Sequence, residues 1–250
     1  MPKFKVVIAY DGTDFFGWQK QTNVITVSSA IEKAFYHVFG QNISLIGSSR
    51  TDGGVHALGQ VAVFRCDDLN IPNNIIQSAW NARLPGSIFI RELSEVDDDF
   101  HPCFNVLQKT YYYHLFLQRP LPFVARYGWQ YKFINKIDLD QFYKTLQLYV
   151  GEHDFASFCK IEEGGKSTIR RIDSIEVEKL ARFGAVRIII KGPGFLHFQI
   201  RRMIGYALDV VRRPDLSINY LQGLLDNPDP KQILTKAEGC GLCLRKVVYK

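Results

Sequence analysis

The sequence lacks the features that mark membrane and secreted proteins. No apolar run approaches the roughly 18 residues that a membrane-spanning helix needs. Residues 1–5, Met-Pro-Lys-Phe-Lys, do not begin a signal-peptide pattern. These absences predict a cytoplasmic protein that does not bind a membrane.

Cysteine is scarce and unevenly spaced. The chain has five cysteines in 250 residues, and an odd number in a long chain argues against a disulfide framework. Cys240 and Cys243 form a single CxxC spacing without a second pair or a suitable histidine nearby. Cys243 also falls in an alternating, strand-like segment. We therefore predict no metal site and no redox role for them.

The first half of the chain has no excess of basic over acidic side chains, and the net positive charge is concentrated in the second half. Residues 1–105 hold 8 basic and 11 acidic side chains, whereas residues 106–250 hold 23 and 14. The basic half also carries aromatic residues, among them Tyr111, Phe195 and Phe198. Cations and aromatic rings together suit a phosphate backbone and bases that stack. The alternative is a solvated basic face.

Hydrophobic periodicity predicts the same order of elements in both halves. In the first half we expect strands at 3–10, 43–46, 61–64 and 88–93, and helices at 27–39, capped by Thr26 or Ser29, and 72–82. In the second half we expect strands at 110–117, 172–178, 186–191 and 242–249, and helices at 139–149, 198–211 and 219–225. This order predicts an α+β fold of two ferredoxin-like βαββαβ halves, residues 1–105 and 106–250, with mainly antiparallel sheets. If the sheets abut, a central cleft lies between the halves, a frequent place for sites.

One loop, Gly-Ser-Ser-Arg-Thr-Asp-Gly-Gly-Val-His-Ala-Leu-Gly-Gln at 47–60, carries a single carboxylate, Asp52, two residues from Arg50. It is compatible with a β-turn in which the arginine pairs locally. A phosphate cradle is a weaker interpretation because the lysine and following Ser/Thr of a P-loop are missing. A third interpretation is a catalytic carboxylate that the arginine keeps ionised. The loop alone does not decide between them.

The second half offers further candidates. Tyr111 and Tyr113 share one face of a strand, where aromatic residues either pack or stack on a base. His197, Arg201 and Gly205 recur at helical spacing beside a buried stripe. The basic loop 160–171 is a candidate for contacting a nucleic-acid backbone, and an ordinary surface loop is the alternative.

Several motifs together resemble the tRNA pseudouridine synthase A family, in order and over nearly the whole chain. They are Tyr10-Asp11-Gly12-Thr13, Gly17-Trp18-Gln19-Lys20-Gln21, Arg50-Thr51-Asp52-Gly53-Gly54-Val55-His56-Ala57, Lys109-Thr110-Tyr111-Tyr112-Tyr113, Gly151-Glu152-His153-Asp154-Phe155, Phe195-Leu196-His197-Phe198-Gln199-Ile200-Arg201 and Gly241-Leu242-Cys243-Leu244. The resemblance implies isomerisation of uridine to pseudouridine in the anticodon stem-loop of tRNA, at positions 38, 39 and 40. It also implies a homodimer that uses no metal or organic cofactor.

The resemblance also assigns roles to residues. Asp52 falls on the family's catalytic aspartate, Tyr111 on its active-site tyrosine, and Arg50 and Arg201 on basic residues of the site. We expect RNA contacts from Lys109, Lys166, Arg170, His197 and Arg202. The chain departs from the family's pattern at Ser49 (usually glycine), Gly53 (usually alanine) and Gln199-Ile200 (commonly Met-Val); the first two changes bear on loop stiffness.

A lone carboxylate suits an isomerase. Glycoside hydrolysis normally requires two carboxylates because water must be activated. An isomerase instead keeps the detached base and rejoins it through C5, so no second acid is needed. The alternatives are a pseudouridine synthase with another RNA site, a non-catalytic RNA-binding protein on the same scaffold, and a nucleotide-binding metabolic enzyme.

Overall fold

The computed structural model describes residues 1–67, 69–161, 167–232 and 235–250, which form an α+β fold with mainly antiparallel sheets. Within these residues the helices are α1 (Val27–Phe39), α2 (Asn73–Arg83), α3 (Leu139–Gln147), α4 (Gln199–Arg212) and α5 (Ile218–Asp226). The strands are β1 (Lys3–Tyr10), β2 (Ile46–Gly47), β3 (His56–Arg65), β4 (Ile88–Glu95), β5 (Val106–Phe116), β6 (Trp129–Gln130), β7 (Gly151–Asp154), β8 (Ile169–Ile172), β9 (Ser174–Leu180), β10 (Ala185–Gly192) and β11 (Leu242–Tyr249).

The chain forms two compact units. The first comprises Met1–Leu107 together with Cys243–Lys250, and the second comprises Gln108–Leu242. The change of unit after Leu107 lies two residues from the predicted boundary. The sequence order had placed strand β11 in the second half, whereas it packs in the first unit. Periodicity therefore predicted strand β11 correctly, but it could not predict the strand with which β11 pairs. Pairing between segments far apart in the chain leaves no local signal in the sequence.

In the first unit, β1 lies between β4 and β3, and both pairings are antiparallel. Strand β11 runs parallel to the start of β3, with Cys243 opposite His56 and Leu244 opposite Ala57. The beginning of β3 is therefore held from both sides, by β1 and by β11. This is the point at which the chain leaves the Asp52 loop.

Helices α1 and α2 contribute aromatic side chains to the core of the first unit. Thr26 caps α1 through a capping box with Ser29, and Gly40 ends it at φ 69°, as the sequence predicts. The rings of Phe35 and Trp80 meet edge to face at 4.8 Å, and the Trp80 indole N–H donates to the Ile31 carbonyl oxygen at 3.1 Å. The buried indole N–H of Trp80 therefore has a hydrogen-bond acceptor although its ring is packed in the core.

The strand predicted at 43–46 is wrong except at its last residue, because β2 covers only Ile46–Gly47. Ile43 and Leu45 are buried and Ser44 is exposed, so the alternation reflects burial without strand pairing. The Leu45 N–H donates to the Glu32 carboxylate at 3.0 Å instead of to a neighbouring strand. A side chain therefore takes the place of a ladder bond.

In the second unit, β10 lies between β5 and β9 with antiparallel pairing, and β7 pairs with β8 in a separate two-stranded sheet. The single strand predicted at 172–178 is divided at Asp173 between β8 and β9. Asp173 donates its N–H to the Lys191 carbonyl oxygen at 2.8 Å, and its carboxylate accepts from Gln108 and Arg171. Side-chain bonds of this kind compete with a regular ladder.

Helices α3 and α4 of the second unit contact each other. Asp138 caps α3 by accepting from Asp140 and Gln141. Helix α4 buries most of its length, including Met203 and Ile204.

Candidate active site

Asp52 lies on the loop between β2 and β3, and its side chain is half-buried. The Asp52 carbonyl oxygen accepts from the Val55 N–H at 3.2 Å, which closes a tight turn. Gly54 takes φ 75° in this turn, a left-handed conformation that other residues adopt at a cost. The turn fixes the backbone that carries the carboxylate.

The loop at 11–21 forms hydrogen bonds with the Asp52 loop on both sides of the aspartate. The Trp18 N–H donates to the Thr51 carbonyl oxygen at 3.0 Å, and the Gly54 N–H donates to the Phe15 carbonyl oxygen at 3.3 Å. The Tyr10 hydroxyl and the Thr51 hydroxyl share a buried hydrogen bond of 2.7 Å. Contacts immediately before and after Asp52 therefore limit the movement of its backbone, a form of preorganisation.

A buried glutamine anchors the other end of the same loop. The Gln60 side chain is fully buried; its carbonyl oxygen accepts from the Ser49 N–H at 3.2 Å, and its amide donates to the Ser49 carbonyl oxygen at 2.6 Å. Ser49 does not have a positive φ, so the serine that replaces the family's usual glycine fits without backbone strain. Sequence reasoning did not assign a role to Gln60, although it lies at the edge of the motif.

His56 and Asp11 form a polar contact beneath the loop. The Gly12 N–H donates to His56 Nδ1 at 3.1 Å, and Asp11 Oδ1 lies 3.2 Å from the same nitrogen. Asp11 Oδ1 also accepts from the Thr13 hydroxyl at 2.6 Å. The Gly12 amide and the Asp11 carboxylate therefore both lie within hydrogen-bond distance of one ring nitrogen. This contact ties the end of β1 to the start of β3.

We expect Gly12→Ala to destabilise the first unit. A Cβ at Gly12 would lie 2.0 Å from the Val55 carbonyl oxygen, so the two loops would have to separate at a cost of about 1–3 kcal/mol in unfolding free energy. Urea denaturation measures this change. Gly86→Ala is the control because a Cβ there meets nothing within 4 Å. Equal unfolding free energies for the two variants would contradict the close packing of the loops.

We expect Gly53→Ala, which restores the family's usual residue, to keep activity within about 2-fold and to raise stability by about 0.4–1 kcal/mol. A Cβ at Gly53 would meet the Phe15 carbonyl oxygen at 3.6 Å, an ordinary contact, and Gly53 does not have a positive φ. Gly54→Ala is the contrasting control, since Gly54 has φ 75°. If both variants lose stability equally, the backbone difference between the two positions is not decisive.

In the second unit, Tyr111 and Tyr113 are buried on one face of β5, and Tyr112 is half-buried on the other, as the alternation predicts. The Tyr111 ring meets the Phe195 ring edge to face at 5.2 Å. This contact orients Tyr111 beside the segment that leads into α4.

The start of α4 carries a strained residue and the predicted arginine. Phe198, the residue before the helix, has φ 65° in the left-handed region, where a non-glycine residue is strained. Arg201 is 7% exposed, and its Nε donates to the Ala237 carbonyl oxygen at 2.8 Å. Its guanidinium carbon lies 5.6 Å from the centre of the Phe198 ring. Arg201 is therefore not a solvated surface arginine.

The other predicted RNA-contacting residues are placed differently from one another. The His197 ring lies 3.9 Å from the Phe198 ring at a tilt of 39°, and Lys109 is buried on β5. Arg202 is half-buried, burial lowers its pKa, and it donates to the Cys159 carbonyl oxygen. Arg170 donates to carbonyl oxygens of its own strand region. Lys166 lies outside the described residues.

Arg50 is exposed on the Asp52 loop, one residue before the buried Thr51. Across the described ranges, no cluster of three or more histidine, cysteine, aspartate or glutamate residues has the arrangement of a metal site. In the same part of the chain, no helix has the length and hydrophobicity to cross a membrane.

Comparison with known proteins identifies the family. The model of a family described as tRNA pseudouridine synthase matches residues 6–105 and 145–250, ranges that include Asp52 and Arg201 but not Tyr111. A tRNA pseudouridine synthase A from Brachyspira hyodysenteriae is 34% identical over 100% of this chain and 99% of its own. Another from Thermodesulfovibrio yellowstonii is 32% identical over 100% of both chains.

Among solved structures, the archaeal box H/ACA sRNP Nop10-Cbf5 complex aligns at 10% identity with a TM-score of 0.39, over 82% of this chain and 42% of that chain. A likeness of this size adds nothing to the assignment. The match to the family model and the two full-length relatives decide it: the chain belongs to the tRNA pseudouridine synthase A family.

Proposed function

We propose that this chain isomerises uridine to pseudouridine at positions 38, 39 and 40, in the anticodon stem-loop of tRNA, with Asp52 as its catalytic carboxylate. The observation that carries the proposal is the fixed backbone on both sides of Asp52, in a loop that has no second acidic residue between 47 and 60. Membership of the family supports the reaction type. The choice of tRNA positions follows from the resemblance.

One carboxylate is sufficient for the chemistry. Cleaving the N1–C1′ bond and joining C5 to C1′ consumes no water, so a second carboxylate to activate water is unnecessary. Three roles for Asp52 are compatible with this: attack on C1′, attack on C6 of the base, or removal of the C2′ proton. All three require the ionised form. We assign Arg50, two residues away in the sequence, or Arg201 to keeping Asp52 ionised.

The second unit supplies groups that hold the nucleotide. We assign Tyr111 to stacking on the uracil, a contact worth about 1–3 kcal/mol, and its burial against Phe195 supports a fixed ring orientation. We assign Arg201 to the same nucleotide. The target must leave its helical stack, which costs a few kcal/mol, and phosphate contacts from the basic residues offset this cost.

The site specificity is tested with tRNA transcripts made from C5-tritiated uridine, in which only one of positions 38, 39 and 40 is a uridine, and with a control transcript that has no uridine at these three positions. We expect tritium release from each of the first three transcripts and none from the control, because C5 loses its hydrogen when it joins C1′. Release from other positions supports a synthase with different specificity. Tight tRNA binding without release supports the non-catalytic RNA-binding alternative.

A homodimer and a cytoplasmic location also belong to this proposal, since the resemblance implies them. Sedimentation of the purified chain with and without tRNA measures the first, and cell fractionation measures the second. A monomer that isomerises tRNA at the same rate at all concentrations would contradict the dimer.

A further inference from the structure

A short segment at 235–238 is clamped along helix α4 by residues spaced one turn apart. The Ala237 N–H donates to the Arg201 carbonyl oxygen at 3.0 Å, and Arg201 Nε returns a bond to the Ala237 carbonyl oxygen at 2.8 Å. The Thr235 hydroxyl donates to the Asp209 carboxylate. Two turns of one helix therefore fix the path of this segment.

Two further contacts make the clamp tight. A Cβ on Gly205 would lie 2.2 Å from the Thr235 carbonyl oxygen, so glycine allows the segment to touch the helix. The Tyr113 hydroxyl donates to the Glu238 carbonyl oxygen at 3.0 Å, and burial raises the pKa of Tyr113 well above its usual value. The phenol therefore stays protonated and keeps donating.

The segment at 235–238 holds the ammonium group of Lys236 over the ring of Phe198, which Arg201 also contacts. Lys236 Nζ lies 4.0 Å from the centre of the Phe198 ring, and the Arg201 guanidinium carbon lies 5.6 Å from the same point. Lys236 is exposed whereas Arg201 is buried. Because both distances are measured to the same ring centre, the two cations lie at most about 10 Å apart, and an anion placed between them would be attracted by both.

The surroundings of Phe198 favour a phosphate over a base. The His197 ring lies 3.9 Å from this ring at a tilt of 39°, and Lys236 Nζ lies over its face at 4.0 Å, so a nucleobase stacked on that face would have to displace the ammonium group. The left-handed backbone of Phe198 is a strained arrangement of the kind that persists where surrounding contacts enforce it. The cluster is suited to charge recognition.

We infer that Lys236 and Arg201 together bind a backbone phosphate of the RNA, with Lys236 as the solvent-facing cation. The inference rests on the proposed function, because it takes tRNA as the ligand. Lys236 lies outside every motif of the sequence analysis, and its role follows from its contact with Phe198. It is a binding residue and takes no part in bond making or breaking.

The test compares Lys236→Met with Lys132→Met, each in the full-length chain carrying Asp52→Asn to prevent turnover. Lys132 also lies over a phenylalanine, 4.7 Å from the Phe133 ring, so the control removes the same charge and the same kind of contact. We expect Lys236→Met to raise the Kd for a fluorescent tRNA transcript about 5- to 20-fold at 0.1 M KCl. We also expect it to reduce the slope of log K against log salt by about 0.7–0.9, the value of one phosphate contact.

Lys236→Arg should bind within about 3-fold of the parent, since the charge is kept. The inference would be overturned if Lys236→Met left the slope of log K against log salt unchanged, or if Lys132→Met weakened tRNA binding by the same factor. Tritium release by the unsubstituted chain is measured separately, so absence of isomerisation refutes the proposed function without deciding the phosphate contact.

Discussion

Asp52→Asn is expected to reduce isomerisation by at least about 10³-fold, as loss of a group that acts directly on the substrate does. The amide keeps the size of the side chain and the turn to Val55, whose N–H donates to the backbone oxygen. It cannot act as nucleophile or base at neutral pH. Tritium release from C5-labelled tRNA measures turnover, and filter binding should give a tRNA affinity within about 3-fold of the unsubstituted chain.

Asp14→Asn is the matched control for this experiment. Asp14 is an exposed carboxylate of the adjoining loop at 11–21, so the same change removes the same charge nearby. We expect its activity to stay within about 2-fold. Normal tritium release by Asp52→Asn would refute the catalytic assignment, and an equal loss in both variants would point to a general effect of charge.

Arg201→Ala is expected to have the second largest effect, a loss of about 10²-fold or more in kcat/KM. It removes a buried guanidinium and the bond from Nε to Ala237, so the segment that carries Lys236 loses one of its anchoring hydrogen bonds. Binding to tRNA should weaken, and the salt dependence of binding should fall by the equivalent of one or two phosphate contacts. Competition binding at several KCl concentrations measures both.

Arg213→Ala tests whether any arginine of this region gives the same result. Arg213 lies just after α4, is exposed, and pairs with Asp215 at 2.6 Å, a surface contact worth about 1 kcal/mol or less. We expect a change of less than about 3-fold in kcat/KM. An unchanged salt slope for Arg201→Ala would count against its contact with phosphate.

Combining Arg201→Ala with Lys236→Met should cost less than the sum of the single effects, because the first substitution already releases the second residue. Additive losses would mean that the two cations act on separate phosphates.

Local signals were sufficient to predict the helices. The bounds of α1 follow from Thr26, Ser29 and Gly40, whose caps involve only neighbouring residues. The alternating burial at 43–46 produced a false strand, because alternation records which side chains are buried and not whether the backbone pairs. The pairing of β11 with β3 joins segments almost 190 positions apart, and no short-range pattern encodes it.

The candidate site was accessible from the sequence only through the motifs as a set. Asp52 in isolation is compatible with an ordinary turn, and the order of the motifs made it a candidate for catalysis. Gln60 and Lys236 received no role because their contacts, with Ser49 and Phe198, depend on the folded loops. A side chain whose task is to hold another group leaves little trace in a single sequence.

The parallel pairing of β11 with the start of β3 has a consequence for biosynthesis. The ribosome synthesises β11 only after every residue of the second unit. The residues of β3 that pair with β11 nevertheless begin at His56, four positions after Asp52. The first unit therefore stays incomplete while the roughly 135 residues of the second unit are synthesised. A nascent chain stalled before Leu242 should expose the unpaired edge of β3 to chaperones and proteases, which ties the ability to modify RNA to completed translation.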